Sequence, residues 1–119
     1  MTMQIKELID TSKQDIKADK VKRRRDRELS DLRFILKTPE GRRFIWGLLS
    51  TAGIFHSSFS LNDAQTNFNE GRRSIGLKYL SDLMETKPDA YLYMQQEHSS
   101  EEKSEEMLEK EENKSSDLV

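Results

Sequence analysis

The most concentrated chemistry in this chain is a tetrapeptide that occurs twice. Glu40-Gly41-Arg42-Arg43 and Glu70-Gly71-Arg72-Arg73 each set two adjacent guanidinium groups beside a carboxylate. A guanidinium is planar and permanently charged, and its fork matches a carboxylate or a phosphate with two parallel hydrogen bonds. One reading makes the copies reciprocal, with Glu40 reaching Arg72 or Arg73 and Glu70 reaching Arg42 or Arg43. The plainer reading makes them exposed ion pairs, worth about 0–1 kcal/mol each.

A second cluster lies upstream. Lys20, Lys22, Arg23, Arg24, Arg25 and Arg27 crowd into residues 20–27. On a helix they surround the axis instead of lining one face. Phosphate binding is the sharp reading, and each neutralised phosphate would release counterion and make affinity fall steeply with salt. An acidic protein surface and plain solvation are the other readings. No aromatic residue interleaves the run, so base stacking is not indicated.

Catalytic chemistry finds little to work with. His56 and His98 are the only histidines. His56 stands beside Ser57 and Ser58, yet no second histidine or spaced carboxylate completes a nucleophilic or metal-ligating set. The serines read as loop-fixing residues. The absence of cysteine excludes disulfides, thiolate metal sites and a cysteine nucleophile. No catalytic residue, metal or cofactor is assigned, and the chain is expected not to be an enzyme.

These groups must be carried on helices, because no segment shows strand alternation bounded by hairpin turns. The expected fold is all-α, a small helical bundle flanked by charged ends. Hydrophobic residues make up 34% of the chain and charged residues 35%, a balance that leaves material for only a small core. Charge is unevenly spread. Residues 1–37 hold 11 basic against 7 acidic side chains, whereas residues 95–119 hold 3 against 9. The chain divides accordingly into a charged, partly helical arm (1–31), a compact helical core (32–97) and an acidic tail (98–119) expected to be disordered. Charge complementarity suggests that the tail, over residues 101–112, masks the basic run 20–27.

Within the core, Thr38 reads as an N-cap with Pro39 at the first helical position, and Gly53 as the residue that stops that helix. Phe44, Ile45, Leu48, Leu49 and Ala52 form its expected buried stripe. Asn62 or Asp63 caps the next helix, with Phe68, Ile75, Tyr79, Leu80 and Leu83 expected inward, and Pro88 begins a short last helix. Gly71 and Gly76 each cost a helix interior about 1 kcal/mol relative to alanine, which suggests close approach of another backbone. Gly41, Gly47, Gly71 and Gly76 are therefore expected where the helices starting near Thr38 and Asp63 cross antiparallel. Trp46, the sole tryptophan, reads as a core-edge residue or as an anchor for a partner, with Tyr91 extending the patch.

The run from Leu32 to Met94 resembles a family of small phage proteins. That family is named for a Bordetella phage protein and encoded among the head and portal genes of short-tailed phages. The resemblance rests on Thr38-Pro39-Glu40-Gly41-Arg42, Trp46, Gly53 with Phe55, Ser58-Phe59, the block from Phe68 to Arg73, and Pro88 with Tyr91. It implies a virion-associated or assembly role and supplies no catalytic residues. The expected partners are head, portal or ejection components, or a second copy of the chain. Trp46, Arg42, Arg43, Arg72, Arg73 and Tyr91 are the candidate partner-binding residues. The alternative is a nucleic-acid-binding regulator that uses residues 20–27. No apolar run approaches the roughly 18 residues that span a bilayer, and the first residues lack a signal-peptide core, so the expected location is the virion or the host cytoplasm during assembly.

Overall fold

The computed structural model describes residues 2–117 as four helices: α1 (Thr2–Ile35), α2 (Pro39–Thr51), α3 (Asp63–Thr86) and α4 (Pro88–Asp117). Among the described residues there is no strand, so the all-α expectation holds.

Local chemistry sets most boundaries. Thr38 is extended, and its hydroxyl accepts the Gly41 N–H at 3.1 Å, which satisfies one of the donors left open at the start of α2. Gly53 closes that helix at φ 77°, in the left-handed region. The Gly53 N–H donates to the Ser50 carbonyl and the Ile54 N–H to the Leu49 carbonyl, the paired bonds of a Schellman motif. Ile54 then folds back onto the core. Asn62 caps α3 by accepting the Gln65 N–H at 3.2 Å. Lys87 leaves helical geometry because Pro88 follows it, and Pro88 opens α4.

Two boundaries differ from expectation. The N-terminal region is one continuous helix of 34 residues, where a partly helical arm was expected. The acidic stretch from His98 onward is not irregular either, and α4 carries it to Asp117. Neither α1 nor α4 beyond Pro88 contains glycine or proline, and both are rich in Glu, Lys, Arg, Gln, Leu and Met, which lose little on entering a helix.

The core is small. Leu32, Leu36, Ile45, Leu49, Leu83, Ala90 and Met94 are buried, with Trp46, Ile54, Leu80 and Tyr91 packed against them. α1 packs on α3, α3 on α4, and α2 on both α3 and α4. The expected inward stripes are rotated. On α2, Ile45 and Leu49 are buried but Phe44 and Leu48 face out; on α3, Leu83 is buried and Leu80 half-buried, but Phe68, Ile75 and Tyr79 face out. Each helix carries two apolar faces, and periodicity alone does not say which one the neighbours cover.

The molecule is elongated, with extents of 95 × 39 × 17 Å. Helices the length of α1 and α4 span about 51 and 45 Å at 1.5 Å per residue. A long axis near their sum means that their free arms leave the core toward opposite ends. The compact bundle expected from the sequence is thus replaced by a small packed centre between two projecting helices. Masking of residues 20–27 by residues 101–112 of the same chain is ruled out by the same geometry.

Candidate interaction surfaces

A polar network fastens α1 to α3. Asp82 is buried, and its carboxylate accepts from Arg25 Nη2 at 2.7 Å and from Lys78 Nζ at 3.1 Å. Arg25 also reaches Glu85 at 2.9 Å and Glu28 at 3.3 Å, and Lys78 reaches Glu28 at 2.6 Å. One turn further along, Arg33 Nε donates to the Thr86 hydroxyl, which donates to the Leu29 carbonyl. The hydrogen bond from Arg25, and then that from Lys78, holds the Asp82 carboxyl below its ordinary value of 3.8 in spite of burial. The hydrogen bond from Lys78 similarly lowers Glu28 below its ordinary 4.5.

A group whose folded pKa is depressed stabilises the fold above its unfolded pKa, and that contribution is lost as pH falls through the folded value. Acid unfolding should therefore weaken the α1–α3 joint below about pH 4. Asp82→Ala is expected to cost about 1–2 kcal/mol at pH 7, since Arg25 is one-third exposed and the pair is partly screened. Urea titrations at pH 7 and at pH 3 should show wild type and variant converging in acid.

Arg25, expected among the phosphate-binding cations, is thus engaged inside the fold. Lys20, Lys22, Arg23, Arg24 and Arg27 are exposed and form no ion pair among the described residues.

A second fork joins α2 to α4. Arg42 Nε and Nη2 both donate to Glu97, at 2.9 and 2.7 Å, while Nη1 donates to the Leu36 carbonyl at 2.9 Å. Arg43 lies 3.6 Å from Glu101. Trp46 stacks on Phe55 at 4.8 Å and lies 5.1 Å from His98 and 6.2 Å from Tyr91. Beside it is a cleft of about 80 Å³, lined chiefly by Pro39, Arg43, Trp46, Met94, His98 and Glu101. The fold therefore gathers Arg42, Arg43, Trp46 and Tyr91, but not Arg72 or Arg73. Arg72 lies over the Phe68 ring at 5.7 Å, and Arg73 Nε is buried with no acceptor among the described residues.

The reciprocal pairing of the two tetrapeptides does not occur. Arg42 and Arg43 turn to α4, and Glu70 accepts instead from the Ser58 hydroxyl at 2.7 Å. Nor do the four glycines line one crossing. Gly47 and Gly71 have nothing within 4 Å of where a Cβ would stand, and Gly41 approaches the Ile35 carbonyl at the α1–α2 turn. Only Gly76 meets the end of α2, where a Cβ would lie 2.5 Å from the Ala52 methyl and 2.6 Å from Ile54 Cγ2. The contact falls there because α3 meets the end of α2 and the turn after it.

His56 is exposed in the α2–α3 loop. Ser57 there accepts the Phe59 N–H, and Ser58 ties the loop to α3 through Glu70. Among the described residues, no group of acidic or histidine side chains is arranged to hold a metal ion, and no helix is long and apolar enough to cross a membrane.

The least expected surface is apolar. Phe68 and Ile75 are each 63% exposed and Tyr79 is 44% exposed on one flank of α3; Phe44 is 65% and Leu48 50% exposed on α2. The α2 row leads toward Ala52, and Ala52 meets Gly76, the residue that follows Ile75 on α3. A soluble surface does not ordinarily concentrate so many large apolar groups without a partner.

A family model for Bbp19-like phage proteins matches residues 32–96. The chain belongs to the Bbp19-like phage protein family. The matched span opens at Leu32, the first buried residue among those described, and closes one residue short of Glu97, the partner of Arg42. The Bbp19-like span is thus the packed centre, with most of both projecting arms outside it. No curated protein and no solved structure matches the chain.

Proposed function

We propose that this Bbp19-like protein is a non-enzymatic docking factor of phage assembly that acts through helix-mediated contacts with head, portal or ejection components. One observation carries the reading: more large apolar side chains stand on the surface than in the core. A chain of this length with seven buried hydrophobic residues among those described is marginal alone and gains stability by covering its exposed faces on another protein. The half-buried Trp46, with Tyr91 and the exposed Arg43 beside it, offers an aromatic anchor with a charged rim, a combination enriched at binding hot spots. Such a protein works in the virion or in the host cytoplasm while particles assemble. Mass spectrometry of purified virions alongside proheads tests this. The protein should co-purify with one or both in fixed stoichiometry. Its absence from both, with no crosslink to a structural protein in infected cells, would overturn the reading.

A second reading is favoured by the five cations of residues 20–27 that form no ion pair among the described residues, which suit a phosphate backbone. A gel-shift titration separates the two. A nucleic-acid binder loses affinity steeply between low and physiological salt, and R23E/R24E/R27E abolishes the shift. A docking factor shows little shift at physiological salt in either form.

A further inference from the structure

We propose that the apolar flank formed by Phe44, Leu48, Phe68, Ile75 and Tyr79 is covered by a second copy of this chain, in an antiparallel dimer that sets each basic α1 arm against the partner's acidic α4 arm. Three observations meet here. The first is area: a large apolar side chain offers about 150–250 Å² when fully exposed, so these three aromatic and two aliphatic groups, 44–65% exposed, present roughly 500 Å², a large part of the about 800 Å² each partner contributes to a stable interface.

The second is charge. Lys20, Lys22, Arg23, Arg24 and Arg27 have no carboxylate partner among the described residues, and Glu105, Glu106, Glu109, Glu111 and Glu112 have no cationic one. Both sets are exposed, and within one chain they lie on opposite sides of the packed centre.

The third is register. At 1.5 Å per residue, Arg23 lies about 13 Å beyond the buried Leu32 and Glu106 about 18 Å beyond the buried Met94. The two charge centres are thus nearly equidistant from the core on opposite sides. A two-fold axis through the core and perpendicular to the long axis exchanges the ends, which brings each basic run beside the other copy's acidic run. A two-fold interface is self-complementary, so both charge contacts form at once. The apolar flank supplies burial, and the arms supply orientation and exclude the parallel arrangement by like-charge repulsion.

This inference does not depend on which virion component the protein meets. The full-length chain is examined by sedimentation velocity and light scattering over a concentration series at low and high salt. The wild type should be a dimer at tens of micromolar and should dissociate more readily in high salt. I75D, at a solvent-facing position, should give a monomer with unchanged helical circular dichroism. R23E/R24E/R27E and E105K/E106K/E109K should each weaken self-association by about tenfold, and mixing the two variants should restore a tight heterodimer, a rescue that a folding defect cannot produce. A wild type that stays monomeric throughout, a dimer indifferent to I75D, or reversed arms that fail to rescue each other would overturn the proposal. A monomer that still co-purifies with particles would overturn it and leave the docking function intact.

Discussion

Leu83→Ala is expected to lower the unfolding free energy by about 3 kcal/mol, within the range for large-to-small changes at buried sites. Leu83 is fully buried, on the one helix that packs against all of the others. The substitution removes apolar burial and leaves a cavity that three helices must collapse to fill. Seven hydrophobic residues are buried among the described residues, so the loss is a large fraction of the about 5–15 kcal/mol typical of a domain. Urea unfolding followed by far-ultraviolet circular dichroism should show the midpoint falling sharply at little-changed slope. Leu108→Ala provides the contrast. Leu108 is 59% exposed on the free arm of α4, and its truncation should change the midpoint by no more than about 0.5 kcal/mol equivalent. Equal effects at the two positions would mean that the packed centre is not where stability resides.

The second large effect concerns two glycines that look alike in sequence and should respond with opposite sign. Gly76→Ala places a methyl 2.5 Å from the Ala52 Cβ and 2.6 Å from Ile54 Cγ2, so α3 and the end of α2 must move apart. Overpacking of this kind costs about 1–3 kcal/mol, more than the roughly 1 kcal/mol of helix propensity that alanine returns. Gly76→Leu enlarges the clash and should separate the two elements. Gly47→Ala meets nothing within 4 Å, so the propensity gain stands alone and the protein should be stabilised by about 0.5–1 kcal/mol. The same urea titration reads both. A stabilised Gly76→Ala would show that α3 does not rest on Ala52 and Ile54.

The contrast between these glycines is a measure of what the sequence carries. The helix interior marks both as costly, which is a local statement about backbone freedom. Which of the two is justified by a neighbour depends on how α3 lies against the end of α2. The arginines behave in the same way. Residue type and helix position raise Arg42, Arg43, Arg72, Arg73, Trp46 and Tyr91 alike, and only the tertiary structure separates Arg72 and Arg73 from the rest. The partners of Arg42 and Arg43, Glu97 and Glu101, are not raised, because an acidic, glutamate-rich stretch reads as solvated tail until α4 is seen running alongside α2. Asp82 gives the weakest signal of all. Its only local hint is Lys78 four residues earlier, whereas the group that lowers its pKa most, Arg25, lies 57 positions away.

What the sequence determines by itself is whatever acts within a few residues. The all-α class, the Thr38 cap, the stop at Gly53, the Asn62 cap and the breaks before Pro39 and Pro88 follow from hydrogen bonds and φ restrictions that need no distant partner. Membership of the Bbp19-like family follows from the ordered motifs that the same stretch contains. The tertiary structure alone decides which of two apolar faces on α2 and α3 is buried, and that the two charged ends project to opposite sides of the packed centre. Those outcomes turn on burial and Coulomb energies between groups tens of residues apart, and a pattern of period 3.6 is the same whichever face a neighbour comes to cover.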